Sequence, residues 1–136
     1  MSDKTLYTAN VHVTGGREGA ARSSDGRLDI QLAVPGSAGA GTNPEQLFAA
    51  GWSACFEGAM GIAAKAKGIT LPADLAIDAE VDLRHGDDGY SLAARLNVSV
   101  PGVEPEIARQ LIEAAHRTCP YSKAIKGNID AVVALV

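Results

Sequence analysis

The 136-residue chain is long enough to bury roughly two-thirds of its unfolded surface in one core and too short for two ordinary independent domains. Hydrophobic residues make up 46% and charged residues 21%, which excludes a disordered tail or a collagen-like fibre. Twelve Lys and Arg against sixteen Asp and Glu leave a charge of −4, with the basic residues scattered singly, so no electrostatic footprint for a phosphate backbone exists and no nucleic-acid partner is expected.

Residues 6–13 alternate, with Tyr7, Ala9, Val11 and Val13 against Thr8, Asn10 and His12, which is the period of a half-buried strand; Gly15-Gly16 ends it. Leu28, Ile30, Leu32 and Val34 then alternate with Arg27, Asp29 and Gln31, and Pro35-Gly36 opens a small-residue loop reaching Thr42. Two strands therefore precede the first helix, with room for a short irregular strand near residues 19–23.

Thr42-Asn43-Pro44-Glu45 carries helix-start signals: Thr-x-x-Glu has capping-box spacing, and proline suits a first-turn position whose N–H has no helical partner. The predicted helix runs to Lys67, with Gly68 as its stop. It is apolar or small around nearly its whole circumference, so it needs cover on more than one side. Ala50, Ala54 and Gly58 would let another backbone approach closely.

In the second half Leu75, Ala79, Val81 and Leu83 alternate with Asp78, Glu80, Asp82 and Arg84. Gly86-Asp87-Asp88-Gly89 turns the chain, and Tyr90, Leu92, Leu96, Val98 and Val100 complete a long hairpin. After Pro101-Gly102, the residues Ile107, Ala108, Leu111, Ile112 and Ala115 mark the inner face of an amphipathic helix ending before Pro120, and residues 129–136 read as a final strand.

This order predicts an α+β fold of antiparallel sheets with two main helices, in one domain spanning 1–136. The glycine-rich segment 36–41 lacks both the phosphate-loop ending and the dinucleotide spacing. A chain this short covers an apolar helix most simply with a second copy of itself, so a homodimer is expected. Met1-Ser2-Asp3-Lys4 leads into no apolar stretch suited to a signal peptide, and the long uncharged stretch 46–64 is interrupted by Glu57. The expectation is a cytoplasmic protein with no membrane partner.

The chain has only two cysteines, Cys55 and Cys119, far apart in sequence, which in a reducing compartment points to redox or metal chemistry before a structural staple. Cys55, deep in an apolar helix, is a small buried hydrophobe unless a fixed cation lowers its pKa, because burial alone raises it. Cys119 continues the 108, 112, 115 apolar face but also ends a helix, where a thiol can swing. His116 and Cys119 have ligand spacing on one face, yet with Cys55 they make only three soft ligands, and no metal site is expected. Arg17 reads as a solvated loop charge and Glu45 as the capping partner of Thr42.

Three segments together resemble the organic hydroperoxide resistance (Ohr) branch of the OsmC/Ohr family: Gly-Gly-Arg-Glu-Gly at 15–19, the fifteen residues from Thr42 to Phe56, and Cys-Pro-Tyr-Ser-Lys-Ala at 119–124. The second is highly specific, and the similarity spans nearly the whole chain. The resemblance implies an intertwined dimer with active sites at the subunit interface. It also implies Cys55 as peroxidatic cysteine, Cys119 as resolving cysteine, Arg17 as the cation that stabilises the thiolate and Glu45 as the carboxylate that holds that arginine. Trp52 stands where the family often has Tyr, and Lys126 where Arg is frequent.

The chemistry so implied is reduction of an organic hydroperoxide to an alcohol through a Cys55 sulfenic acid and a Cys55–Cys119 disulfide, which a lipoylated protein or dihydrolipoamide reopens, with no metal or bound cofactor. Phe48, Trp52 and Phe56 recur at helical spacing beside Cys55, as either a substrate-facing apolar wall or plain core. The rival readings are the osmotically induced sister branch and a non-catalytic dimeric module with inert thiols.

Overall fold

The computed structural model describes residues 3–136, and their contacts gather into two compact units, one ending at Pro44 and the other running Glu45–Val136. In the first unit β1 (Val11–Thr14), β2 (Ala20–Ser23) and β3 (Asp29–Gln31) form an antiparallel sheet in that order. Between β1 and β2 the chain reverses through a short 3₁₀ turn, Gly16–Glu18, entered at Gly15 with φ +74°. Glycine is required on both sides of this turn, since a Cβ at Gly19 would collide with the Thr14 carbonyl oxygen.

The N-terminal strand is shorter than its alternation predicts. Among the described residues the strand ladder covers Val11–Thr14, with one further bond from the Ser24 N–H to the Asn10 carbonyl at 2.9 Å; all four strand residues are exposed, as are Leu6 and Tyr7 at 87% and 77%. Residues 3–10 therefore show no inward face in the chain. The tentative strand at 19–23 is real as β2, whereas the predicted run 28–34 contracts to β3 plus one parallel bridge from Leu32 to Thr42.

The second unit carries α1 (Pro44–Ala66), the hairpin β4 (Ala76–Gly86) and β5 (Gly89–Ser99), α2 (Pro105–Thr118), α3 (Pro120–Ile125) and β6 (Asp130–Leu135). α1 ends as predicted: Gly68, φ +69°, donates to the Lys65 carbonyl and Ile69 to the Ala64 carbonyl, the paired bonds of a Schellman terminus. α1 has the length and apolarity of a membrane span, but Trp52, Phe56, Ala59, Met60 and Ala64 bury one face of it in the core of this unit. That core also contains Ala94, Leu96 and Val98 of β5 and Leu111, Ile112 and Ala115 of α2. On the other face of α1, Ile62 is 76% exposed.

α2 ends before Pro120, as the sequence predicts, but two other features depart from that reading. Pro120 also opens a further short helix, α3, as its first residue, where the missing N–H costs nothing. β6 then pairs with β5 in parallel, not antiparallel, because the α2–α3 crossover returns the chain in the same direction as β5. On the opposite face of the hairpin, Arg95 makes a two-point contact with Asp82 at 2.8 and 3.0 Å and approaches Glu80 at 3.5 Å.

Candidate active site

Cys55 sits on α1 one turn beyond Trp52, and Cys119 occupies the junction where α2 ends and α3 begins. The Cys119 N–H donates to the Ala115 carbonyl at 2.7 Å, and its own carbonyl accepts from the Lys123 N–H at 3.0 Å, so its backbone is tied to both helices. This places the Cys119 sulfur 3.4 Å from the Cys55 sulfur, both as free thiols. Cys119 is buried and Cys55 half-buried. Sulfurs in a disulfide are about 2.05 Å apart, so oxidation of this pair would require only a small approach of the two atoms.

Burial pushes the Cys55 thiol up; the Tyr121 backbone N–H opposes that effect, while the neighbouring Cys119 thiol adds to it. Desolvation disfavours the thiolate because a buried anion loses its hydration, and one peptide N–H restores only part of it.

Trp52 is fully enclosed, and its indole N–H donates to Ser122 Oγ at 3.0 Å. Ser122 Oγ also lies 3.0 Å from His116 Nδ1, whose ring is 6.3 Å from that of Phe56. Phe48, half-buried, stacks on Trp52 at 5.8 Å and on Tyr121 at 6.4 Å. The aromatic stripe is thus built largely into the core, with Trp52 and Phe56 at 0% exposure. The groove of about 550 Å³ beside Cys55 has other walls, among them Gly58, Ala59, Ile62, Ala114 and Pro120. Nearly all of them are apolar.

Sequence reasoning passed over Ser122, Tyr121 and Gly51. A signal existed for the last: a Cβ on Gly51, in mid-helix, would lie 2.8 Å from the Tyr121 hydroxyl. Arg17 lies in the Gly16–Glu18 turn of the first unit, and Glu45 in the first turn of α1. Among the described residues no group of three or more His, Cys, Asp or Glu side chains has the arrangement of a metal site.

The sequence profile of the family described as OsmC-like protein matches residues 35–133. The chain belongs to the OsmC/Ohr family. Within it, the organic hydroperoxide resistance protein of Xanthomonas axonopodis pv. citri (strain 306) is 45% identical over 137 aligned residues, covering 98% of this chain and 96% of the relative. The crystal structure of the organic hydroperoxide resistance protein OhrB of Bacillus subtilis superposes with a TM-score of 0.91 at 42% identity, covering 97% of this chain and all of that one. An organic hydroperoxide resistance protein from Legionella pneumophila gives a TM-score of 0.90 at 40% identity, covering 97% of this chain and 98% of its own. These relatives put the chain in the Ohr branch of the OsmC/Ohr family, with its α+β fold.

Proposed function

We propose that the protein is a thiol peroxidase that reduces organic hydroperoxides to alcohols, and the observation that carries this reading is the 3.4 Å approach of the Cys55 and Cys119 sulfurs. Two thiols this close, one beside an apolar groove and one buried behind it, suit successive oxidation and resolution. The names of the relatives in the Ohr branch support the substrate class.

The Cys55 thiolate attacks the outer peroxide oxygen; the O–O bond breaks, the alkoxide takes up a proton and leaves as alcohol, and Cys55 becomes a sulfenic acid. Cys119 then attacks the Cys55 sulfur, the S–O bond breaks, and the hydroxyl leaves with the Cys119 proton as water. A dithiol supplies the two electrons that reopen the disulfide and is itself oxidised to a disulfide; the proposed donor is a lipoyl group on a protein, or free dihydrolipoamide.

Because burial and Cys119 both hold the Cys55 thiol protonated, the first step needs a cation. Arg17 is the proposed cation and Glu45 the carboxylate that fixes its guanidinium. Phe48, with Trp52 and Phe56 behind it, is proposed to back the apolar approach to the sulfur. The working form is proposed to be a homodimer in the cytoplasm. The uncovered face of α1 at Ile62 and the exposed Leu6, Tyr7 and Val13 support the dimer, which sedimentation of the native chain tests.

Intact mass and peptide mapping after one equivalent of an alkyl hydroperoxide test the reading. The expected product is one Cys55–Cys119 disulfide within a chain; two unchanged thiols would return both cysteines to a packing role.

A further inference from the structure

We infer that Ser122 is the positioning residue for disulfide closure: its one buried hydroxyl joins Trp52 of α1 to His116 of α2 and so holds the Cys119 junction with its sulfur beside Cys55. This rests on the reading of Cys55 and Cys119 as a redox pair.

Three observations carry the inference. Ser122 is 1% exposed and stands in the first turn of α3, on the segment that Cys119 opens. Its oxygen is within 3.0 Å of both Trp52 Nε1 and His116 Nδ1, so a single atom links the three helices that carry or flank the two thiols. Cys119 itself has φ −59° and ψ 123°, outside helical geometry, so the direction of its side chain depends on how α2 and α3 are set relative to α1.

The hydroxyl is suited to this task. The indole N–H can only donate, so it takes one lone pair of Ser122 Oγ. An imidazole protonated on Nε2 accepts the serine proton at Nδ1, and one protonated on Nδ1 donates into the second lone pair. Either tautomer leaves Ser122 with two partners, and Trp52 keeps its buried N–H satisfied. With the hydroxyl removed, α3 is free to shift relative to α1, and the reacting sulfurs lose their alignment. The first oxidation does not use Cys119 as a reactant and meets α3 only through the Tyr121 backbone N–H beside Cys55, so it should slow much less than closure.

The experiment follows both steps in the full-length protein after one equivalent of tert-butyl hydroperoxide, quenched at intervals with a sulfenic-acid trap and a thiol alkylator and read by intact mass. In Ser122→Ala, Cys55 oxidation should stay within about twofold of the parent. Closure should slow roughly tenfold, as expected when a reacting group is displaced by a fraction of an ångström. Ser122→Thr, which restores the hydroxyl, should recover most of the closure rate. Trp52 is the single tryptophan of the chain, so its emission reports the link directly: altered in Ser122→Ala, parent-like in Ser122→Thr.

Closure at the parental rate in Ser122→Ala, an equal slowing of both steps, or no recovery in Ser122→Thr would overturn the assignment. If Ser122→Ala does not fold, the exposed His116 supplies the second test: His116→Ala should slow closure and spare oxidation, and unchanged closure overturns the inference. A parent that forms no Cys55–Cys119 disulfide removes the redox pair itself, an outcome distinct from a Ser122 variant that closes normally.

Discussion

Cys119 is 64 residues beyond Cys55 in the chain, yet its sulfur lies 3.4 Å from that of Cys55. Cys119 is fully buried while Cys55 borders an open groove, so the two thiols differ in access although they touch. This asymmetry predicts distinct consequences of their loss. Cys55→Ser should abolish hydroperoxide consumption, whereas Cys119→Ser should consume about one equivalent and accumulate oxidised Cys55. Stopped-flow consumption assays with mass analysis of the products separate the two; the reverse pattern would exchange the roles.

Removal of the proposed cation should shift the pH dependence of the first step in a defined direction. Burial and Cys119 raise the Cys55 pKa, and the proposed role of Arg17 is to offset that rise, so its removal should leave the thiolate to form only at higher pH. Arg17→Ala should lower the Cys55 oxidation rate at neutral pH by roughly ten- to a hundredfold and move the midpoint of the rate profile upward, with Arg17→Lys intermediate. A profile that keeps its midpoint would take Arg17 out of thiolate stabilisation.

The groove beside Cys55 should favour substrates with an apolar tail. Each methylene buried there contributes about 0.8 kcal/mol, so a few carbons supply roughly a hundredfold preference over hydrogen peroxide. Second-order rates of Cys55 oxidation by hydrogen peroxide, tert-butyl hydroperoxide and cumene hydroperoxide measure it, and equal rates would exclude an apolar approach. Ile62→Ala is the informative variant, because Ile62 lines the groove and is exposed; it should reduce that preference. Trp52→Ala instead excavates the core, at a cost of about 3–5 kcal/mol in stability.

Dihydrolipoamide with its reductase should sustain many turnovers, and glutathione far fewer. Equal support in a coupled assay would remove the case for a lipoyl donor.

On the exposed face of the hairpin, Arg95 holds the Asp82 carboxyl below its usual range, chiefly through their hydrogen bonds. A carboxylate depressed in the folded state stabilises the fold above its unfolded pKa, near 4, and that stabilisation is lost as pH falls through the folded value. Asp82→Asn should therefore be less stable than the parent near neutral pH, and the difference should shrink in strongly acidic solution. Thermal melts between these conditions test the sign; because the pair remains partly open to solvent, which screens it, the effect should be small.

Local signals in the sequence specify the bounds of α1 and the β4–β5 hairpin. Pro44 opens the helix, the left-handed Gly68 ends it, and strict alternation about Gly86-Asp87-Asp88-Gly89 sets the register Gly86 to Gly89. These features need only nearest neighbours along the chain, which is why composition and period reveal them. The alternation over residues 6–13 has the same form, but among the described residues its strand ladder begins only at Val11, because a strand also needs a partner that its own sequence does not name. The two cysteines were legible as a redox candidate through the motifs around them, whereas their approach was not. It depends on α1 and α2 burying Trp52, Met60, Leu111 and Ala115 in one core with β5, and on Pro120 both ending α2 and starting α3. Ser122 left no periodic trace at all, since a single hydroxyl between an indole and an imidazole acquires its role only when three helices meet around it.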